Sequence, residues 1–194
     1  MISIIIPYHD SPTMAEFLKR AIDSIEKQTY TDYEIIFSKR GLMAENTNAG
    51  IKRARGEIIK VLFSDDYFAH ENALQVIVDN FKGGWLATGC IHDNGEQVLN
   101  EHLPLWNSNM YQGLNTIGSP SVTAFENKDP LLFDENLSWT LDCDLYMRLF
   151  ERYGEPTIVN DVNVVIGVGP HQTTSTLPDE VKRKEVEYLM KKHE

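Results

Sequence analysis

A short apolar run that stops on two adjacent aspartates, GEIIKVLFSDDY over residues 56–67, constrains the fold of this 194-residue chain most tightly. Ile58, Ile59, Val61, Leu62 and Phe63 are strand formers, and a short run so rich in β-branched and aromatic residues reads as an interior strand. Asp65 and Asp66 then fall at its C-terminal end. In open α/β sheets the ligand crevice lies outside the carboxyl ends of the strands, so paired carboxylates there are placed for a hard cation such as Mg2+ or Mn2+. Read alone, the same residues serve equally well as a polar turn, since Asp caps helices and a helical pattern follows.

The rest of the first half alternates. Residues 2–6 form a continuous apolar run closed by Pro7, the pattern of a central strand. Phe17, Leu18, Ala21, Ile22 and Ile25 recur at helical spacing over 13–28, with Ser11 or Thr13 as N-cap. Residues 33–37 read as a second strand, 46–55 as a short polar helix ending at Gly56, and 69–81 as a helix stopped by Gly83 and Gly84. Strand, helix, strand, helix, strand, helix calls for a doubly wound parallel sheet with right-handed crossovers.

Beyond Gly84 the pattern changes. Residues 85–91 and 96–99 flank Asp93-Asn94-Gly95, a strong hairpin signal, so an antiparallel element joins the sheet. Residues 104–121 are polar, aromatic and weakly periodic, and read as a long loop over the sheet or a segment covering the substrate. Residues 137–153 predict a helix with Asp144 and Arg148 as an i,i+4 pair, 162–168 a last strand, and the tail from Pro178 a charged helix, solvated or in an oligomer contact.

Bulk properties exclude some functions. A net charge of −11 argues against a nucleic-acid partner, because phosphate backbones need a basic face. Cys90 and Cys143 lie far apart without metal-ligand spacing, which fits reduced thiols in a cytoplasm. No run is long enough for a membrane span, so at most peripheral contact with the inner face of a membrane is expected. The length suits a single domain, with a donor half at 1–84, an acceptor half at 85–176 and a helical tail at 177–194.

In order, the motifs SIIIPY (3–8), YEII (33–36), NAGI (48–51), ARGE (54–57), SDD (64–66), FDE (133–135) and LDCDL (141–145) resemble those of family-2 glycosyltransferases from residue 2 to about 176. The resemblance implies the GT-A fold: an α/β, doubly wound, mixed and mainly parallel sheet flanked by helices. It further implies a nucleotide-diphospho-sugar donor, Mn2+ or Mg2+ as cofactor, and inverting transfer to a hydroxyl of a glycan or lipid-linked acceptor. Carried over by position, Pro7, Tyr8 and His9 would lie under the donor nucleotide, with Asn48, Ser64, Asp65 and Asp66 on the donor side. Asp65 would touch the metal, as would His171, and Asp142 would be the general base.

The chain departs from the family pattern at four places. Phe63 stands where the first aspartate of the Asp-x-Asp signature would be, and Leu141 where a glutamate usually precedes the base. Lys39 and Arg40 replace aspartates that contact the base or ribose. Cations cannot accept the uracil N–H hydrogen bond, so these two point to a phosphate, to another base, or simply to solvent. Trp106, Tyr111 and Trp139 could stack on acceptor sugars, although aromatic residues near loops also anchor them to the core. Three readings compete with transfer. They are a degenerate sugar-nucleotide or partner-binding protein, a nucleotidyltransferase, which should carry a glycine-rich loop absent from 6–13, and a phosphohydrolase, for which His9-Asp10 offers a thin case.

Overall fold

The computed structural model describes residues 1–10, 12–170 and 172–193. Ser11 and His171 therefore lie outside the described residues. Strand β1 (Ile2–Pro7) is buried throughout, and pairs in parallel with β2 (Tyr33–Ser38) on one side and β3 (Ile58–Val61) on the other. Helices α1 (Pro12–Glu26) and α2 (Met43–Ile51) make the crossovers. Burial on both faces explains why β1 and β3 read as apolar runs, while the edge strand β2 is only partly buried.

The second half brings the antiparallel pairings. β5 (Trp85–Asp93) pairs with the hairpin strand β6 (Val98–His102), and β8 (Thr157–Gly167) runs parallel to β5. Two strands escape the sequence patterns: β4 (Tyr67–Phe68), antiparallel to β8, and β7 (Thr123–Glu126), antiparallel to both β3 and β5. Because β7 sits at the centre of the order β2-β1-β3-β7-β5-β8-β4, the sheet is mixed, with parallel pairing confined to β1–β2, β1–β3 and β5–β8. The expected mixed α/β sheet is borne out, its longest pairings being parallel.

Several helices shift against their sequence bounds. α2 begins at Met43, before the polar stretch, and buries Asn46, Thr47 and Asn48. α3 (Ala73–Asn80) is shorter than the predicted 69–81, since β4 and the turn after it take up 67–72. α4 (Leu141–Tyr153) starts four residues later than predicted, after a bent stretch whose N–H groups at 138–140 are held by Glu185.

The 104–121 segment contains two 3-10 turns, Ser108–Gln112 and Pro120–Val122. After a four-residue helix α5 (Thr173–Thr176), α6 (Asp179–His193) closes the chain. It is a docked helix rather than a solvated tail: Leu189 and Glu185 are buried. Lys192 Nζ bonds Asp134 at 2.6 Å and Asp144 at 2.8 Å. No helix among the described residues is long and apolar enough to cross a membrane.

Candidate active site

The parallel registers Pro7↔Ser38 and Ile5↔Val61 bring the C-terminal ends of β1, β2 and β3 to one edge of the sheet. Pro7, Tyr8 and His9, then Lys39 and Arg40, then Ser64, Asp65 and Asp66 emerge there side by side. Asn46 ties the first two ends together. Fully buried, it accepts from Ser38 Oγ at 2.8 Å and from the Arg40 N–H at 3.0 Å, and donates to the Tyr8 carbonyl at 3.1 Å. Lys39 pairs with Asp10, and Arg40 Nε with Glu45 at 3.3 Å. Both cations therefore carry an exposed carboxylate partner.

The two aspartates have different surroundings. Asp66 is buried at 2 % exposure, accepts the Gly167 N–H at 2.9 Å and lies 3.5 Å from Ser119 Oγ. Burial, aided by the neighbouring Asp65, pushes its carboxyl well above the usual range. Asp65 is half-buried. Its backbone is fixed by Arg20, whose Nη2 donates to the Asp65 carbonyl at 2.9 Å while Nη1 pairs with Asp93 at 3.2 Å. Arg20 also lies 4.3 Å over the Tyr67 ring, and the Tyr67 hydroxyl donates to the same Asp93 oxygen at 3.0 Å. Gly167 is required at this join, since a Cβ there would stand 2.4 Å from the Asp65 carbonyl oxygen.

Beneath the turn lies a residue to which the sequence patterns assign no role. Lys60, 0 % exposed, donates to the carbonyls of Ser121 and Thr123, and burial lowers its ammonium to about 7 against the opposing pull of Asp66. A single lysine inside the apolar run IIKVLF was the available signal.

Asp142 occupies the first turn of α4. Its Oδ2 accepts from Asn115 Nδ2 at 2.6 Å and its Oδ1 from the Cys143 N–H at 2.7 Å. Burial raises the carboxyl to about 6, against the lowering effect of these two donors. Asn115 in turn accepts from the N–H groups of Ile117 and Gly118, each at 2.9 Å. Tyr146 donates to the Gly118 carbonyl at 3.0 Å. Segment 115–121 thus touches Asp142 at one end and, through Ser119, Asp66 near the other. Two carboxylate stations assigned from distant parts of the sequence meet on the same seven residues.

The remaining candidates are built into the scaffold. Asn48 is buried and exchanges hydrogen bonds with the Phe133 backbone at 2.8 and 2.9 Å, joining α2 to the stretch before α4. Ser64 Oγ faces Met14 Sδ at 2.8 Å. Trp106 is stacked on Phe150 at 4.5 Å and edge-on to Trp85 at 5.8 Å, which anchors its segment to α4 and β5. Trp139 lies under Lys182 Nζ at 5.7 Å, and the half-buried Tyr111 accepts from Gln112 at 3.1 Å.

Among the described residues no three His, Cys, Asp or Glu side chains converge to hold a metal. Asp65 offers a single carboxylate, which suits Mg2+ or Mn2+ arriving with a diphosphate better than a resident ion, because such cations are commonly held by one or two carboxylates plus substrate phosphates.

Against solved structures, the chain matches S. aureus TarS 1-349 in complex with UDP at a TM-score of 0.70 and 17% identity, over 99% of this chain and 64% of that one. It matches the same protein in complex with UDP-GlcNAc at 0.67 and 15%, over 99% and 71%. The mannosyltransferase PcManGT from Pyrobaculum calidifontis, in complex with GDP-Man and Mn2+, matches at 0.60 and 15%, over 88% and 57%. This is the GT-A glycosyltransferase fold. No protein-family model and no curated protein sequence matches the chain. It spans less than two thirds of the length of the UDP-bound TarS chain and of PcManGT. In this GT-A frame, the edge formed by β1, β2 and β3 and the start of α4 are joined through segment 115–121.

Proposed function

We propose that the chain transfers a sugar from a nucleotide-diphospho-sugar to an acceptor hydroxyl with inversion. One observation carries the reading: on a GT-A fold, segment 115–121 meets the strand-end pair Asp65-Asp66 through Asp66 and the half-buried helix-start carboxylate Asp142 through Asn115. Residues 1–84 hold the donor in this reading and 85–176 the acceptor. The TarS and PcManGT complexes with UDP, UDP-GlcNAc and GDP-Man support a donor of this class.

The acceptor oxygen bonds to the anomeric carbon as the bond from that carbon to the diphosphate oxygen breaks. The electron pair leaves with the nucleoside diphosphate, and the hydroxyl proton passes to Asp142. A carboxylate raised to about 6 is still ionised at neutral pH and a stronger base than an ordinary aspartate, which suits this role. A divalent cation bound at Asp65 would offset the charge growing on the leaving diphosphate. Arg20 and Gly167 hold the Asp65 turn in place, and Asn115 orients Asp142.

One observation favours a second reading, donor binding without turnover: among the described residues no group of three or more metal-ligating side chains is formed. Thermal stability against UDP, GDP, CDP, dTDP and their sugars, with and without Mn2+, tests donor binding, since ligands of the folded state raise the melting temperature. A shift with one nucleotide is expected. No shift with any of them at millimolar concentration overturns the proposal.

A further inference from the structure

The helix that ends the chain reaches the start of α4 through one buried carboxylate. Glu185 Oε1 accepts the Ser138 N–H at 2.9 Å, and Oε2 accepts those of Trp139 at 2.8 Å and Thr140 at 3.0 Å, with the Thr140 hydroxyl at 3.3 Å. Thr140 is the N-cap of α4 and its side chain makes no cap bond of its own. Glu185 thus ties down, from 45 to 47 residues away, the turn that leads into α4, the N–H of the N-cap Thr140 included. Around it α6 is fitted closely: a Cβ on Gly113 would stand 2.9 Å from Val186, and Lys182 covers Trp139.

We propose that Glu185 is a positioning residue for Asp142, holding the N-terminal turn of α4 in place and keeping a negative charge behind the base. The inference rests on the reading of Asp142 as base, and it extends that reading to the C-terminal helix. A helix N-terminus stabilises nearby anions, and here the Glu185 carboxylate sits on the residues just before that terminus, where its charge opposes the stabilisation of ionised Asp142. The other groups around Asp142 leave this charge effective. Asp144, on the same helix, is compensated by Arg148 at 2.6 Å, Lys192 at 2.8 Å and His193 at 3.0 Å. Cys143 and Tyr146 are buried on the same helix, and Asn115 is uncharged. His102 bonds the carbonyls of Thr116 and Ile117 at 3.2 Å, and Lys182, on α6 like Lys192, lies over Trp139.

The test is a carbon-13 carboxyl NMR titration of Asp142, its resonance identified by its loss in Asp142→Asn. In Glu185→Gln the midpoint should fall by about half a pH unit, the size expected for one charge at a helix terminus. Lys182→Gln, a change at a half-buried side chain that donates to the Thr174 carbonyl, should move it the opposite way, and it decides the matter should Glu185→Gln not fold. A midpoint unmoved in the folded variants, with stability alone reduced, overturns the proposal and leaves Glu185 a structural cap. A midpoint that moves while Asp142→Asn retains full transfer activity instead overturns the reading of Asp142 as base.

Discussion

Replacing Asp142 by Asn should make the protein more stable above neutral pH and less stable in acid. Folding raises this carboxyl from 3.8 to about 6, chiefly by burial, so the folded state resists its ionisation. For a raised acid the sign runs against the usual carboxylate. The penalty is absent below the unfolded value near 3.8, grows between there and about 6, and is complete above. A rise of that size costs the folded state at most about 3 kcal/mol. Asparagine escapes this penalty but turns an amide toward Asn115 Nδ2, losing the 2.6 Å bond at a cost of about 1 to 1.5 kcal/mol. The net effect is a gain of about 1.5 to 2 kcal/mol at pH 8, or roughly 3 to 8 °C in melting temperature at this chain length. A loss of about 1 kcal/mol is left at pH 3.5, where the carboxyl is protonated in the folded state and mostly so in the unfolded one. Urea denaturation of both proteins from pH 3.5 to 8 measures the difference directly. Stability curves that fail to cross, with Asp142→Asn the weaker protein at pH 8, would refute the claim that burial strains this carboxylate.

Asn46→Ala strands the Tyr8 carbonyl and the Arg40 N–H, and should cost about 2 to 4 kcal/mol in urea denaturation. Trp106→Ala removes the stack on Phe150 and should cost about 2 to 3 kcal/mol while leaving nucleotide binding, read by calorimetry, unchanged. Arg20→Met frees the Asp65 carbonyl and should weaken donor binding by about tenfold in a protein that still folds. Equal affinity in calorimetry would show that the Arg20 contact does not set the geometry of the Asp65 turn.

The donor edge was legible because the buried parallel strands β1 and β3 are written as local apolar runs, and each carries polar residues just past its end. β7 was not. Its four residues, TAFE, follow a 3-10 turn without a break in composition, and its pairing with β3 spans over sixty positions. Asp142 stood out only as part of an ordered set of motifs, whereas its partner Asn115 lies 27 residues earlier in an irregular segment. Glu185 sits in a charged helix whose pattern resembles a solvated face, and its docking depends on contacts that no local periodicity encodes. Lys60 and Asn46 are the polar residues that an apolar-run reading discounts, and both are fully buried under the candidate site.

The central claim is that Asp142 takes the acceptor proton during sugar transfer. Release of nucleoside diphosphate from the donor selected by thermal shift, measured with Mn2+ for the wild-type protein and for Asp142→Asn, tests it most directly. Turnover is expected in the first and a loss of at least about a hundredfold in the second, with donor affinity retained. Equal turnover in both proteins would contradict it.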